Sequence, residues 1–263
     1  MDWLEALILG TVQGLTEFLP VSSSGHLELG KAILGVNAER SLIFTVVVHG
    51  ATVLSTIVVF HKNVFKLLKG LFAFRWNEET AYIARLLLSM IPVSILGIFY
   101  MEEIESFFDG NVVFVGSMLI VTSLLLASTY LRKHNEKKIS YLDSLIIGVA
   151  QAFAVLPGIS RAGATISTGL LLGNKKANVA RFSFLMVLIP IICANFKDIY
   201  DGGMNTEGGV GWIALLIGFL AAFITGLIAC KWMVGIVKKG KLIYFAIYCF
   251  VIGLIAILTA TAF

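Results

Sequence analysis

The sequence predicts an all-α polytopic membrane protein. It is read as a single integral-membrane domain built as an inverted repeat, with six transmembrane helices and two re-entrant helical hairpins that meet near the midplane. Three observations predict this. Hydrophobic residues make up 58% of the 263 residues and charged residues only 14%, against about 25% charged in soluble globular chains. Mean hydropathy is +0.93. Two apolar regions are each broken near their middle by a polar cluster, and the two regions resemble each other. So few charges cannot cover a soluble domain of this length, and the composition also excludes disordered, collagen-like and disulfide-stapled chains.

The first region, about 4–34, is interrupted by Pro20-Val21-Ser22-Ser23-Ser24-Gly25-His26. Proline and the residue before it disfavour continued helix. Non-helical backbone at membrane depth survives only where protein or a wet cavity satisfies it, so this region reads as a hairpin. Three apolar stretches follow at 42–60, 83–100 and 112–131, each near the roughly 20 residues that cross a bilayer. The second broken region, about 142–172, carries Pro157-Gly158-Ile159-Ser160-Arg161-Ala162-Gly163, and spans at 182–199, 211–232 and 242–262 complete the chain. Leu7-Ile8-Leu9-Gly10 matches Leu145-Ile146-Ile147-Gly148, and Gln13 matches Gln151. After a one-residue gap Leu19-Pro20 matches Leu156-Pro157 and Ser23 matches Ser160. This marks repeats of approximately 1–131 and 142–263.

Charge sets the expected orientation. Loops 61–82, 132–141, 173–181 and 233–241 hold 14 of the 20 Lys and Arg residues, while loop 101–111 carries Glu102, Glu103, Glu105 and Asp109. The positive-inside rule places the basic loops in the cytoplasm. Both termini then face out, and an odd number of spans per half inverts one half relative to the other. The first hairpin dips from outside and the second from inside, as in inverted-repeat transporters. These loops account for the net charge of +4 without nucleic acid. Cys193, Cys230 and Cys249 lie in apolar runs and read as small buried hydrophobes rather than a zinc or redox set. No secretory signal is expected, because Asp2, Glu5, Gln13 and Glu17 interrupt the N-terminal apolar stretch.

Ionisable residues at membrane depth point to function. Glu17, His26 and Arg161 fall on or beside the two broken tips. Gln13 and Glu17 are four residues apart, hence on one helix face. Ser22, Ser23 and Ser24 supply hydroxyls, and Gly25 lets backbone approach a ligand. On the second tip Ser160 and Arg161 follow Pro157-Gly158, with Thr165 expected at the next helix start. An arginine, hydroxyls and free N–H groups at helix N-termini make an anion site, most commonly for phosphate. Glu17 and Gln13 offer oxygens to a hard cation, Mg²⁺ or Ca²⁺. Ser23 and His26 offer a nucleophile and a proton carrier. The set suggests metal-assisted phosphoryl transfer on a lipid-borne diphosphate. A plain structural Glu17–Arg161 ion pair is the competing reading of that pair. His49 reads as a packing residue, as do Ser89, Ser94, Thr122 and Ser123. The nucleophile is left among Ser23, His26 and a metal-bound water, with Ser23 favoured because it aligns with Ser160.

At these residues a family enters. Gln13 through His26 resembles the first signature of the bacitracin-resistance type of undecaprenyl-diphosphate phosphatase, whose acidic motif is Glu or Gln, three residues, then Glu. Pro157 through Thr165 resembles its second signature, and length, span count and repeat also fit. Position 13 is Gln where many members carry Glu, and position 162 is Ala where Ser is usual. The resemblance implies hydrolysis of undecaprenyl diphosphate to undecaprenyl phosphate and inorganic phosphate in a bacterial plasma membrane. That reaction recycles the carrier for peptidoglycan and wall polymers and removes the target of bacitracin. It implies catalytic roles for Ser23, His26, Glu17 and Arg161, with the reacting phosphate reached from the extracytoplasmic face. Ser22, Ser24, Gly25, Gly158, Ser160 and Thr165 would bind substrate, and Glu17 and Gln13 a divalent cation.

Three other readings compete with this one. The other integral-membrane lipid phosphatase superfamily needs an Arg-Pro, and the four prolines here follow Leu or Ile. A lipid kinase is unsupported, because no phosphate-binding G-x-x-x-x-G-K-[ST] pattern occurs. A lipid-carrier transporter using the same midplane site is the alternative of a different class, since fold does not decide function.

Overall fold

The computed structural model describes residues 1–35, 42–100, 103–104, 107, 111–131, 136–198, 200 and 210–262, and no strand forms among them. Glu102, Glu105 and Asp109 of the acidic loop, and Arg132 and Lys133 of a basic one, lie outside the described residues. The first hairpin is α1 (Trp3–Phe18) and α2 (Ser23–Leu34). Three spans follow: α3 (Leu42–Val59) with the bent α4 (His61–Leu71), α5 (Glu78–Phe99) and α6 (Val112–Ser128). The second hairpin is α7 (Tyr141–Phe153) and α8 (Arg161–Leu171). After it come α9 (Lys176–Met186), α10 (Leu188–Asp198), α11 (Trp212–Lys239) and α12 (Ile243–Ala262). Among the described residues, five helical segments are long and apolar enough to cross a membrane, six with the bent α3–α4 pair. Large apolar side chains such as Ile98, Phe99, Ile228 and Tyr244 cover the outer faces, as expected of a multi-pass membrane protein.

Both hairpins begin on capping boxes, in which an acidic side chain and the cap exchange hydrogen bonds. Asp2 and Glu5 close α1, and Ser140 and Asp143 close α7. α1 ends at Leu19, extended with ψ 144°, because Pro20 follows.

Four boundaries differ from the sequence reading. The stretch 61–82 is not all loop: α4 turns through 79° from α3. Its Val64, Phe65, Leu67, Leu68 and Leu71 recur at helical spacing with Lys62, Lys66 and Lys69 between them, an amphipathic pattern too short to register as a span. α5 starts at Glu78 rather than 83, since Asn77 caps it and two glutamates suit a helix N-terminus. The fourth span starts at Lys176 rather than 182 and breaks at Val187. Pro190 lacks an N–H and crowds the carbonyl of Met186. The fifth continues to Lys239 rather than 232. Lys238 and Lys239 suit its negative end, and Gly240 stops it in the left-handed region with φ 71°.

Close packing of small residues sets the hairpins in place. α1 lies against α11 and α7 against α5, while α6 pairs with α12. A Cβ built at Gly10 would stand 2.5 Å from the Gly218 carbonyl oxygen. Gly148 of α7 meets the Ser89 backbone of α5 in the same way. Gly10 and Gly148 are the residues matched between the two broken regions of the sequence, and each brings its hairpin arm against the backbone of a long span. Without a hydrophobic force between helices in lipid, such backbone contact is what associates them.

Replacing Gly10 or Gly148 by Leu should therefore lower stability by about 1–3 kcal/mol, the usual cost of overpacking. Thermal unfolding in detergent micelles reads this. Gly97→Leu, at a position open to 4 Å, should leave the midpoint unchanged. Equal midpoints for all three would overturn the account of the seating.

Candidate functional site

The two interrupted tips are built differently. In the first, Ser22 takes φ 69°, rare for a residue with a side chain. The turn holds because Ser22 Oγ accepts from the Gly25 N–H at 3.3 Å and the Ser22 carbonyl accepts from the His26 N–H at 3.1 Å. In the second, Gly158 takes φ 95° against the Val115 backbone and the Met118 side chain. Ser160 caps α8 by accepting from the Gly163 N–H at 3.0 Å. That helix begins at Arg161, so Thr165 sits a turn inside it rather than at its start. Thr122 of α6 donates to the Gly158 carbonyl at 3.1 Å and accepts from the Ser160 N–H at 3.0 Å. It fixes the second tip, and its place in an apolar span gave no sign of this.

The tips touch. A Cβ at Gly25 would lie 3.4 Å from Gly158 Cα. Glu17 spans the junction as the hub. Its Oε1 accepts from Arg161 Nη2 at 2.9 Å. Its Oε2 accepts from Ser23 Oγ at 2.7 Å and from Gln13 Nε2 at 2.9 Å. All three neighbours donate, which is the geometry of an acceptor-only carboxylate. Glu17 is 6% exposed in its side chain and Arg161 30%, so the carboxylate is internal while the arginine side chain is partly exposed.

Ser23 and His26 are not joined by a hydrogen bond among the described residues. His26 Nδ1 lies 2.9 Å from the Ser22 carbonyl, which can only accept, so Nδ1 carries a proton. Nε2 lies 2.8 Å from the Tyr248 hydroxyl, and the two rings stack at 5.6 Å. The expected serine–histidine couple is therefore replaced by a serine–glutamate couple. The histidine, one turn along α2, braces the tip against α12. Ser24 contacts Ser22 at 3.3 Å.

Of the other expected contacts, Thr165 turns to Ser183, 2.6 Å between hydroxyl oxygens. Both line a cavity with Glu17, Arg161, Thr52, Thr56 and Gln151. The Gln151 amide is buried and meets no hydrogen-bond partner among the described residues, and the same holds for Gln13 Oε1. No cluster of three or more His, Cys, Asp or Glu forms among the described residues. His49, read as packing, stands with Nε2 4.0 Å from Glu17 Oε2. The rule that ionisable groups in a span mark function could have found it; what the sequence lacked was a visible partner.

Comparison with known proteins bears on this geometry. A family described as bacitracin resistance protein BacA matches residues 6–255. An undecaprenyl-diphosphatase of Christiangramia forsetii is 55% identical over the whole of both chains. One of Parabacteroides distasonis is 53% identical over 98% of each chain. A protein of the same description from Methanococcus vannielii is 38% identical over 97% of this chain and 99% of its own.

Thr122→Val keeps the shape of Thr122 and removes the hydroxyl, leaving the buried Ser160 N–H without a partner. Stability should fall by about 1–3 kcal/mol, read by unfolding in detergent, while Thr122→Ser stays near wild type. A neutral Thr122→Val would remove its hold on the second tip.

Proposed function

The chain belongs to the bacitracin resistance protein BacA family, and on that premise we propose that it hydrolyses undecaprenyl diphosphate to undecaprenyl phosphate and inorganic phosphate. Recycling of a wall-polymer lipid carrier and resistance to bacitracin follow from that reaction. One observation carries the chemistry: the Ser23 hydroxyl donates to Glu17 at 2.7 Å while Arg161 holds the other carboxylate oxygen at 2.9 Å.

Ser23 is the nucleophile and Glu17 its base. A serine hydroxyl is a weak nucleophile until a neighbouring base takes its proton. Its position at the first residue of α2 places it among the free N–H groups of a helix start, which favour phosphate. Arg161 spends one of its N–H donors on Glu17, and the remaining donors face the diphosphate and the charge that develops on it. Ser22, Ser24, Gly25, Gly158 and Ser160 shape the cradle by backbone and hydroxyl. Thr165 acts from behind, through Ser183. His26 sets the conformation of the first tip. Undecaprenyl phosphate leaves as a phosphate monoester and needs no proton from the protein.

The residues also fit a hard divalent cation such as Mg²⁺ or Ca²⁺. Gln13 Oε1 is buried without a partner beside the single carboxylate of Glu17. Mg²⁺ is commonly held by one or two carboxylates together with substrate phosphates. Gln13 and Glu17 would hold it, and it would neutralise diphosphate charge when bound.

By the positive-inside rule the basic stretches favour a cytoplasmic position for α4 and the α8–α9 turn, which supports a first tip that opens to the extracytoplasmic face. Cysteine at Asn111 should react with an impermeant maleimide in spheroplasts and cysteine at Lys138 should not, both in a cysteine-free background. The reverse pattern would overturn the side of action. Asn135 and Asn205, which serve the same test, lie outside the described residues.

Phosphate release by the purified protein, with and without chelator, tests the reaction itself. Ser23→Ala should abolish turnover. Arg161→Lys, which keeps the charge and loses the planar fork, should lower it at least about 100-fold, the scale of one lost electrostatic stabiliser. Rapid acid quench of labelled substrate should trap phosphoserine at Ser23. An acid-labile, base-stable adduct that persists in Ser23→Ala would move the role to His26. The absence of any adduct, with water oxygen entering phosphate by single inversion, would favour a metal-bound water.

A further inference from the structure

We propose that the polar cavity among α4, α5 and α9 is a binding site for a membrane phospholipid whose headgroup carries a phosphodiester and a primary ammonium. The inference stands apart from the reaction at the tips and does not depend on it.

The cavity lies where the basic stretches 61–82 and 173–181 come together, and it shares no lining residue with the cavity behind the tips. α4 turns through 79° from α3, which lays it across the direction of that span. Phe65 and Leu68 of α4 are exposed, as are Phe72, Phe74 and Trp76 in the turn that follows. Lys62, Lys66 and Lys69 are interspersed along the same helix. Lysines beside exposed aromatic and aliphatic side chains make an interfacial helix, with its apolar groups among acyl chains and its ammonium groups among headgroups. The cavity beside α4 is therefore at the depth of lipid phosphates.

Asn63 and Lys66 of α4, Glu78, Glu79 and Tyr82 of α5, and Arg181 of α9 line a space of about 160 Å³. One water needs roughly 10–15 Å³ of such space, so a polar group of several atoms fits. Two of the four charges answer each other: Lys66 Nζ is 3.0 Å from Glu79 Oε1. Glu78 Oε1 is 3.8 Å from Lys138 Nζ, too far for a hydrogen bond, and both side chains are largely exposed, so that contact is worth little. Arg181 takes part in no ion pair or hydrogen bond among the described residues. The Tyr82 hydroxyl is buried and likewise meets no hydrogen-bond partner among them. The cations nearest that hydroxyl are Arg181 and Arg85, and Arg85 already donates from Nε and Nη1 to the Ala81 and Ile139 carbonyls.

One guanidinium and one phenol O–H are thus left to donate, and one carboxylate is left to accept. A guanidinium beside a hydroxyl is suited to a phosphate. The spare carboxylate of Glu78 calls for a cation brought by the same ligand. Inorganic phosphate, or a headgroup with negative charge alone, would meet Glu78 and Glu79 as like charges. A choline headgroup has no N–H to donate to Glu78. A phosphodiester joined to a primary ammonium satisfies both ends, and its acyl chains continue onto the apolar side chains of α4 and the turn after it.

Native mass spectrometry tests this on the purified full chain, stripped of lipid in detergent. Titration with dioctanoyl phosphatidylethanolamine, phosphatidylglycerol and phosphatidylcholine in turn gives the Kd of the first bound lipid. The ethanolamine lipid should bind at least about 10-fold tighter than the other two. Arg181→Gln should weaken it about 10-fold or more, the scale of a hydrogen bond to a charged group, and Tyr82→Phe about threefold to tenfold, the scale of a neutral one. Glu78→Gln should bring the ethanolamine lipid down to the level of the glycerol lipid. Lys62→Gln, which removes a charge from α4 outside the cavity, should bind as wild type does, and so should Ser23→Ala. Equal binding of the three lipids would overturn the proposal, as would ethanolamine-lipid binding unmoved by Arg181→Gln and Tyr82→Phe. Lost binding in Ser23→Ala would place the lipid at the tips and also overturn it. Inorganic phosphate that displaces the ethanolamine lipid at equal concentration would make free phosphate the ligand and overturn the lipid reading. If Arg181→Gln does not fold, Tyr82→Phe and Glu78→Gln decide by the same measurements.

Discussion

A single carboxylate inside the membrane governs the arrangement of this protein. Glu17 is almost wholly buried, and a charge in an apolar interior is tolerated only where it is paired and hydrogen-bonded. Its donors come from three places in the chain: Gln13 one turn before it, Ser23 across the first break, and Arg161 from the other half. Satisfying Glu17 therefore requires that α1 end where it does, that α2 start at Ser23, and that the second hairpin reach the first. A pair made only for stability would be better replaced by packed apolar side chains. The Ser23 hydroxyl donates to the same carboxylate, and on the proposed reaction that placement gives the pair its purpose.

Small residues let the two halves meet at that carboxylate. Gly10 on Gly218 and Gly148 on Ser89 bring each hairpin arm to backbone contact with its supporting span. Gly25 and Gly158 then face each other with no side chain between them. Thr122 stitches the second tip to α6 by both functions of one hydroxyl. Precision at the tips, where backbone is irregular and cannot support itself, is thus supplied by regular helices behind them. This is the order in which a site on broken helices has to be built: rigid spans first, then the turns they hold.

The sequence made the spans and the tips legible because their signals are local. Twenty apolar residues, or a proline beside serines and glycine, announce themselves within one window. Partnerships across the fold were less legible. Ser23 and His26 are three residues apart and invited pairing, yet at the start of α2 their side chains diverge, one to Glu17 and the other to Tyr248. His49 and Thr122 sit in apolar runs where a lone polar residue is commonly packing, and only the crossing of α3 and α6 behind the tips gives them partners. α4 escaped notice for a third reason. Its 11 residues are too few to compete with a span, and its lysines resembled a loop.

The glutamine at position 13 shows how the local chemistry fits together. A second carboxylate there would stand within hydrogen-bond distance of Glu17, and two adjacent carboxylates must share a proton or a cation. The amide avoids that conflict by donating Nε2–H to Glu17 Oε2 at 2.9 Å, while its own oxygen stays unpartnered in the interior. One acid then faces one guanidinium across the tips, and the pair is neutral before substrate arrives. Glu17 can complete its hydrogen bonds from protein donors alone, and Ser23 is already aligned on it. The replacement of an acid by its amide leaves the alignment of Ser23 on Glu17 to protein donors alone.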